Sequence, residues 1–225
     1  MSHAEIIGDL ANEPIMEAGP NGPIASFTVI TKEQEPGGAG GGLKKSSQYH
    51  RIAVFGRELA GFAKSNLRAG SAVHLEGNIR YYRVGGQSDR IAFEIHVGGP
   101  QAMLRPYRHQ GRRVYLNRAE LTGELSAGPA IRQGPNGPIV FFPVATTEPW
   151  DKGSLLQEET PCYPVAVFEP QLAKYASAHL KKGSLVRVWG AIHHQKYQTQ
   201  IQVSGPQDAL LINSRWRVLP GSVAV

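Results

Sequence analysis

The chain has 225 residues, of which 41% are hydrophobic, enough for one large packed domain or two smaller ones. Its single cysteine, Cys162, excludes an internal disulfide and favours a reducing compartment, so we expect a cytoplasmic protein. The net charge of +6 is unevenly spread, because residues 1–104 hold ten basic and ten acidic side chains whereas residues 105–118 hold five arginines and no acid. A cluster of arginines beside Tyr107 and Tyr115 is typical either of a polyanion-binding strip or of a solvated linker.

Five short strands and one helix are predicted in the first half of the chain. In order, they are a strand that ends at Gly8, a strand that follows the turn Gly19–Ile24 (GPNGPI), the strand Arg51–Phe55, a helix with the apolar stripe Leu59, Phe62, Ala63 and Leu67, and the strands Ala72–Ile79 and Ile91–Val97. Gly70 is predicted to end the helix as its C-cap residue. Three strands, a helix and two further strands are typical of a small closed barrel of the OB type.

The same pattern recurs in the second half, including the hexapeptide GPNGPI at Gly134–Ile139. Ile6–Val29 matches Leu121–Val144 at an offset of 115 residues, and Tyr49–Ile79 matches Cys162–Ile192 at an offset of 113. The offset changes within Thr31–Gln48 and Tyr81–His96, which we therefore expect to be loops. The repeat predicts an all-β fold of two tandem five-stranded OB barrels with one short helix each. The predicted domains are residues 1–104 and 119–212, joined by a basic linker at 105–118 and followed by a short basic tail at 213–225.

The motifs of the first copy resemble a known family. I-G-D-L followed by P-N-G-P-I-A-S-F, then Y-H-R-I-A-V-F-G-R and L-R-A-G-S-A-V-H-L-E-G-N-I-R, are similar to those of bacterial single-stranded DNA-binding proteins. The resemblance implies binding and protection of single-stranded DNA without sequence specificity, in replication, recombination or repair, including that of mobile or plasmid DNA. The sequence has no G-x-x-x-x-G-K-[ST] phosphate loop and no C-x-x-C pair, so we expect no enzymatic activity and no cofactor. Two barrels in one chain resemble the members of the family that form homodimers with four OB folds.

The resemblance also implies a set of DNA-contacting residues. Bases would stack on Tyr49 and Phe55, with Tyr81 and Tyr82 nearby, in the first copy, and on Trp150, Phe168 and Tyr197 in the second copy. Phosphates would meet the cations Lys44, Lys45, Arg51, Arg57, Arg80, Arg83, Arg112, Arg113, Lys152, Lys181, Lys182, Arg187 and Lys196. The two copies keep different subsets of the aromatic positions, so we expect the two barrels to differ in affinity.

Other interpretations stay open at this stage. Their strand positions alone would make Phe55 and Phe168 core residues, and the cations a solvated face. The runner-up function is an OB-fold module for protein–protein assembly in a replication complex, and stacking does not distinguish DNA from RNA. The chain ends RWRVLPGSVAV, without an acid after Asp208, so we do not expect partner recruitment through the acidic tail that is typical of the family. His193 and His194 are adjacent and would face opposite sides of a strand, so we expect no metal site there.

Overall fold

A computed structural model of the chain describes residues 1–36, 43–83, 91–100, 102–135, 137–152, 155–195, 199–205 and 208–212. The described residues divide into two compact units, the first within residues 3–88 and 92–117 and the second within residues 1–2, 89–91 and 118–225. Residues 105–117, which the sequence assigns to a linker, belong to the first unit. No helix in the described ranges is long and apolar enough to cross a membrane.

The first unit forms a closed barrel. Its elements are β1 (Ser2–Leu10), β2 (Ile15–Gly19), β3 (Gly22–Pro36), β4 (Leu43–Phe55), α1 (Arg57–Asn66), β5 (Ala72–Arg83), β6 (Ile91–Val97) and β7 (Met103–Pro106). Strand β1 pairs antiparallel with both β3 and β5, β3 pairs with β4, β4 runs parallel to β6, and β6 lies next to β5. This closed order is that of an OB barrel.

The second unit repeats the same topology. Its elements are β8 (Leu116–Leu125), β9 (Ala130–Gly134), β10 (Gly137–Ala145), β11 (Glu148–Lys152), β12 (Leu155–Glu159), β13 (Cys162–Val167), α2 (Pro170–His179), β14 (Leu185–His194), β15 (Thr199–Val203) and β16 (Ala209–Ile212). Strand β8 pairs with β10 and β14, β10 pairs with β13, β13 runs parallel to β15, and β15 pairs with β14. The prediction of two tandem OB barrels with one short helix each is confirmed.

The duplicated hexapeptide forms the same tight turn in both copies. It connects β2 to β3 and β9 to β10, and its second glycine has φ of 120° at Gly22 and 122° at Gly137. Side chains of L-residues rarely adopt this backbone conformation. The turn therefore requires glycine at this position in each barrel.

A second pair of glycines lies where the strands approach most closely. A Cβ atom at Gly8 would lie 2.4 Å from the carbonyl oxygen of Ile30, and one at Gly123 would lie 2.0 Å from that of Ala145. No side chain fits in that space, so glycine lets β1 and β8 pass tightly against β3 and β10 as the barrels close.

Each helix buries one narrow stripe against its barrel. Helix α1 buries Ala60 and Ala63, and α2 buries Leu172, Ala173 and Ala176. The Glu169 carboxylate caps α2 by accepting a hydrogen bond from the Leu172 backbone N–H at 2.6 Å, whereas α1 follows Gly56 and has no side-chain cap.

The predicted C-cap role of Gly70 is wrong. Helix α1 already ends at Asn66, with Leu67 as its cap residue in extended backbone conformation. Leu67 is 1% exposed, so burial of its side chain turns the backbone out of the helix before the glycine is reached. Gly70 lies in the following turn, where its backbone N–H donates to the Leu10 carbonyl at 2.8 Å.

The first segment expected to be a loop is largely strand. Thr31 pairs with Gln48, and the ladder between β3 and β4 continues to the pair Pro36 and Leu43. The second copy instead has a separate hairpin of β11 and β12. Backbone hydrogen bonds carry the ladder, so a polar stretch can extend it without apolar alternation. In the second predicted loop, Tyr81–Arg83 and Ile91–His96 likewise belong to β5 and β6, and residues 84–90 lie outside the described residues.

Candidate nucleic-acid interface

Strand β4 presents a row of cationic and aromatic side chains on the outside of the first barrel. Lys45, Ser47, Tyr49 and Arg51 are exposed, whereas Gln48 and His50 between them are buried and Ser46 is half-buried. Side chains two residues apart lie on the same face of a strand, about 7 Å from each other. Tyr49 is 56% exposed, so its ring has a face available to a ligand.

The aromatic end of β4 contacts a charged cluster. Phe55 is half-buried, and its ring lies 4.7 Å from that of His96 between centroids, tilted by 47°. His96 Nε2 donates a hydrogen bond to Glu94 at 2.9 Å, and an Arg51 amino group lies 3.6 Å from the other oxygen of that carboxylate. The hydrogen bond from His96, with the charges of His96 and Arg51, lowers the pKa of Glu94 although burial opposes this shift. The first barrel therefore carries an ionised acid beside two predicted DNA-contacting residues.

The remaining described candidates of the first copy lie at the surface or half-buried. Lys45 and Arg57 are exposed, and Arg80 and Tyr81 are half-buried in β5. The charged ends of Lys45 and Arg57 are therefore accessible to phosphates, whereas the half-buried side chain of Arg80 is less accessible.

The second barrel has an aromatic cavity that the sequence did not indicate. Phe168 and Phe141 pack edge to face, with centroids 6.4 Å apart and rings at 78°. The guanidinium of Arg132 lies over the Phe141 ring, 5.2 Å from its centroid. These three side chains line a cavity of about 470 Å³, together with Pro164, Gln195 and Gln200 among others.

Phe141 and Arg132 were not among the predicted site residues. Phe141 directly precedes Phe142, which is 2% exposed in the core. Alternation along β10 places neighbouring side chains on opposite faces, so one of two adjacent phenylalanines had to point outward. That alternation was the signal in the sequence that could have identified Phe141.

One predicted phosphate contact in the second barrel is engaged with an acid. Arg187 donates to Glu120 at 2.6 Å and lies 4.6 Å from the centroid of the Trp189 ring, while the Trp189 indole N–H donates to the same carboxylate at 3.1 Å. Lys181 and Lys182, in contrast, are exposed. In the second barrel, Arg187 is therefore paired with an acid, whereas Lys181 and Lys182 face solvent.

The arginine-rich segment, residues 105–118, is attached to the first barrel through Asp9. Arg113 donates to Asp9 Oδ2 at 2.6 Å, and the Tyr115 hydroxyl donates to the same oxygen at 2.9 Å. Lys32 lies 5.5 Å from the centroid of the Tyr115 ring. Asp9 is only 8% exposed, so this contact is part of the packed unit. Arg113 therefore holds the segment in place, and Arg112 is exposed beside it.

Several predicted contacts have side chains outside the described part of the structure, and these stay predictions. They are Lys44, Tyr82, Arg83, Trp150, Lys152, Lys196 and Tyr197.

One group of metal-ligating side chains lies close together in the described ranges: Glu5, His74 and Glu76, with ligand atoms within 4.8 Å of one another. The Arg105 guanidinium can only donate, and it donates to His74 Nδ1 at 2.9 Å. His74 Nε2 then carries the proton that it donates to Glu5 at 2.9 Å. Both ring nitrogens have partners, so we assign no metal to this group.

Comparison with known proteins identifies the family of this chain. The sequence model of the "Single-strand binding protein family" matches residues 1–101 and 116–212, which covers most of both barrels. The chain belongs to this family. The model of the single-strand binding protein family matches each half of the chain separately, as expected for a tandem duplication.

The chain is also similar to individual members of the single-strand binding protein family. The single-stranded DNA-binding protein of Deinococcus radiodurans is 26% identical over 202 residues, which are 85% of this chain and 67% of that protein. That of Neisseria meningitidis is 40% identical over 85 residues, 37% of this chain and 48% of that protein, so the match spans about half of its length. The crystal structure of the single-stranded DNA-binding protein from Thermus aquaticus has a TM-score of 0.73 and 23% identity, covering 98% of this chain and 97% of that one, and shows the shared fold.

Proposed function

We propose that this protein binds single-stranded DNA without sequence specificity, by stacking bases on outward aromatics and by contacting phosphates through exposed cations. The observation that carries the proposal is the row of Lys45, Tyr49 and Arg51 on the outside of β4, where one exposed ring lies between two cations. Every base has a π-face, so such a row suits a ligand of any sequence. The family match over both barrels supports the same conclusion.

The role that we propose is protection of unwound strands during replication, recombination or repair, in the cytoplasm or nucleoid where such strands form. The proposal includes no catalytic step and no cofactor. Each barrel acts as one binding domain, and two chains associate into a homodimer with four barrels, by analogy with other two-barrel members of the family. Sedimentation of the full chain, expected at twice the mass of one chain, tests the dimer.

The test of the function is Tyr49→Ala in the full chain, with Tyr49→Phe as the matched control that keeps the ring. Binding of a fluorescent oligo(dT) is measured by anisotropy at low and high salt, beside a duplex of equal length. We expect Tyr49→Ala to weaken binding to the first barrel by about 1–3 kcal/mol, the contribution of one stacked base, and Tyr49→Phe to bind like the unmodified protein. Affinity should fall as salt rises, because phosphate neutralisation releases counterions.

Two results would contradict the proposal. One is the absence of oligo(dT) binding by the unmodified protein at low salt. The other is equal affinity for the duplex, because paired bases cannot stack on an exposed ring. A parallel titration with a matched RNA oligomer shows whether the 2′-OH changes the affinity.

A further inference from the structure

The side chains that line the cavity of the second barrel differ from those at the matching positions of the first barrel. The repeat aligns Phe141 with Ser26 and Arg132 with Glu17, at the common offset of 115 residues. The strand pairings agree with this alignment, because Phe141 lies opposite Ala130 as Ser26 lies opposite Ile15. An aromatic ring and a cation in the second copy thus stand where the first copy has a small hydroxyl and an acid.

The lining of the cavity also differs at a second place. Pro164 and Gln200 line it, and they occupy the positions of Arg51 and Glu94, because the parallel pair Val165–Ile201 corresponds to the pair Ile52–Ile95 of the first barrel. Arg51 and Glu94 lie 3.6 Å apart as an ion pair. Two uncharged side chains thus replace an ion pair, which leaves the local net charge unchanged, whereas Arg132 in place of Glu17 makes the second barrel more positive at the cavity. A polyanion meets less repulsion there, and a planar apolar group meets two rings and a guanidinium.

We propose that this cavity is a nucleotide pocket that makes the second barrel the tighter of the two DNA sites. The inference rests on the proposed function and specifies how one barrel performs it. One unpaired base enters, stacks on the face of Phe168 and meets the Phe141 ring edge-on, while the Arg132 guanidinium, which lies over Phe141, contacts the adjoining phosphate. The Gln200 amide, 5% exposed at the base of the cavity, offers both a donor and an acceptor to the edge of the base.

The size of the cavity fits this ligand. About 470 Å³ lies within the range of roughly 300–1,000 Å³ that small-molecule pockets occupy, so it holds one nucleotide rather than a length of strand. The partner chemistry also fits, since aromatic rings and arginine planes are the surfaces on which unpaired bases stack.

The experiment replaces pocket residues of the full-length protein by those of the first barrel: Phe141→Ser and, separately, Arg132→Glu. Lys174→Glu, on the exposed surface of α2, is the matched control for the charge change. Calorimetry with an oligo(dT) of about 8 nucleotides, within the range of one OB-fold site, should resolve a tight and a weak class of sites in the unmodified protein. Phe141→Ser and Arg132→Glu should each weaken the tight class by about 5- to 150-fold, and Tyr49→Ala should weaken only the weak class.

The outcomes separate this inference from the function on which it rests. If the unmodified protein does not bind the oligonucleotide, the DNA-binding function itself fails. If it binds, but both pocket variants keep the tight class while Tyr49→Ala removes it, the pocket is not the tight site and the inference is overturned. If Phe141→Ser lowers the thermal midpoint, Arg132→Glu still tests the inference, because Arg132 is exposed and is not part of the hydrophobic core. An equal loss of affinity with Lys174→Glu would show a general effect of charge and would likewise overturn the inference.

Discussion

Lowering the pH from 7 to 5 should destabilise the second barrel through one histidine, His194. Burial, with a smaller contribution from the neighbouring His193, lowers the pKa of His194 from 6.5 to about 4. The ring accordingly stays neutral in the folded barrel, where its Nδ1 lies 3.1 Å from the Thr199 hydroxyl across the β14–β15 pair. In the unfolded chain the same ring takes up a proton near pH 6.5.

The sign and size of the effect follow from this difference. A histidine with a lowered pKa in the folded state contributes its full stability above pH 6.5, and that contribution is lost as the pH falls toward 4, because the unfolded chain binds the proton first. With these two pKa values, the free energy of unfolding should fall by about 2 kcal/mol at pH 5 and by about 3 kcal/mol at pH 4. This is a large fraction of the stability of a small domain.

Urea unfolding followed by tryptophan fluorescence measures this loss selectively. All three tryptophans, including Trp189 on the same strand as His194, lie in the second half of the sequence. The control is His194→Gln, which keeps a polar group opposite Thr199 but does not titrate. The difference in unfolding free energy between the two proteins should grow between pH 7 and pH 5 as calculated. Parallel pH profiles of the two proteins would refute the reasoning.

Two further predictions concern packing and charge. Gly123→Ala should destabilise the second barrel by about 1–3 kcal/mol, since the added Cβ would lie 2.0 Å from a carbonyl oxygen. Thermal unfolding measures this loss. The control is Gly128→Ala, because a Cβ added there meets nothing within 4 Å. Arg112→Ala should leave thermal stability unchanged and reduce the salt dependence of DNA binding by about 0.7 in log–log slope, whereas Arg113→Ala should lower the thermal midpoint by removing a partner of Asp9. Identical behaviour of the two arginine variants would contradict the anchoring contact.

The fold could be predicted largely because its sequence pattern occurs twice in the chain. The hexapeptide turn, the close-approach glycines and the apolar stripe of each helix recur at matched positions, so an accidental pattern in one copy could be checked against the other. The limits of the strands were less predictable. A ladder is held by backbone hydrogen bonds that every residue type except proline can complete, so the polar extension of β3 and β4 had no signature in the side chains.

The sequence indicated which types of residue form the candidate site, but not which of its cations pair with an acid in the folded barrel. Arg113 and Asp9 are 104 residues apart in sequence, and Arg187 and Glu120 are 67 apart. Counting charges along a chain cannot show which cations meet an acid once the barrel closes. The cavity of Phe141 and Arg132 was missed for the same reason, because its lining comes from strands that are distant in sequence and meet only in the folded barrel.

The contacts of Asp9 determine where the two halves can be cut apart. A fragment that ends at Leu104 would interrupt strand β7 and leave Asp9 without the donors Arg113 and Tyr115. A fragment that ends at Asn117 would cut β8 after its second residue, but it keeps both donors and also the hydrogen bond of 2.6 Å from the Asn117 amide to Glu33. The arginine-rich segment would therefore travel with the first barrel in any domain exchange, so a hybrid protein would inherit its basic strip from whichever parent supplies that barrel.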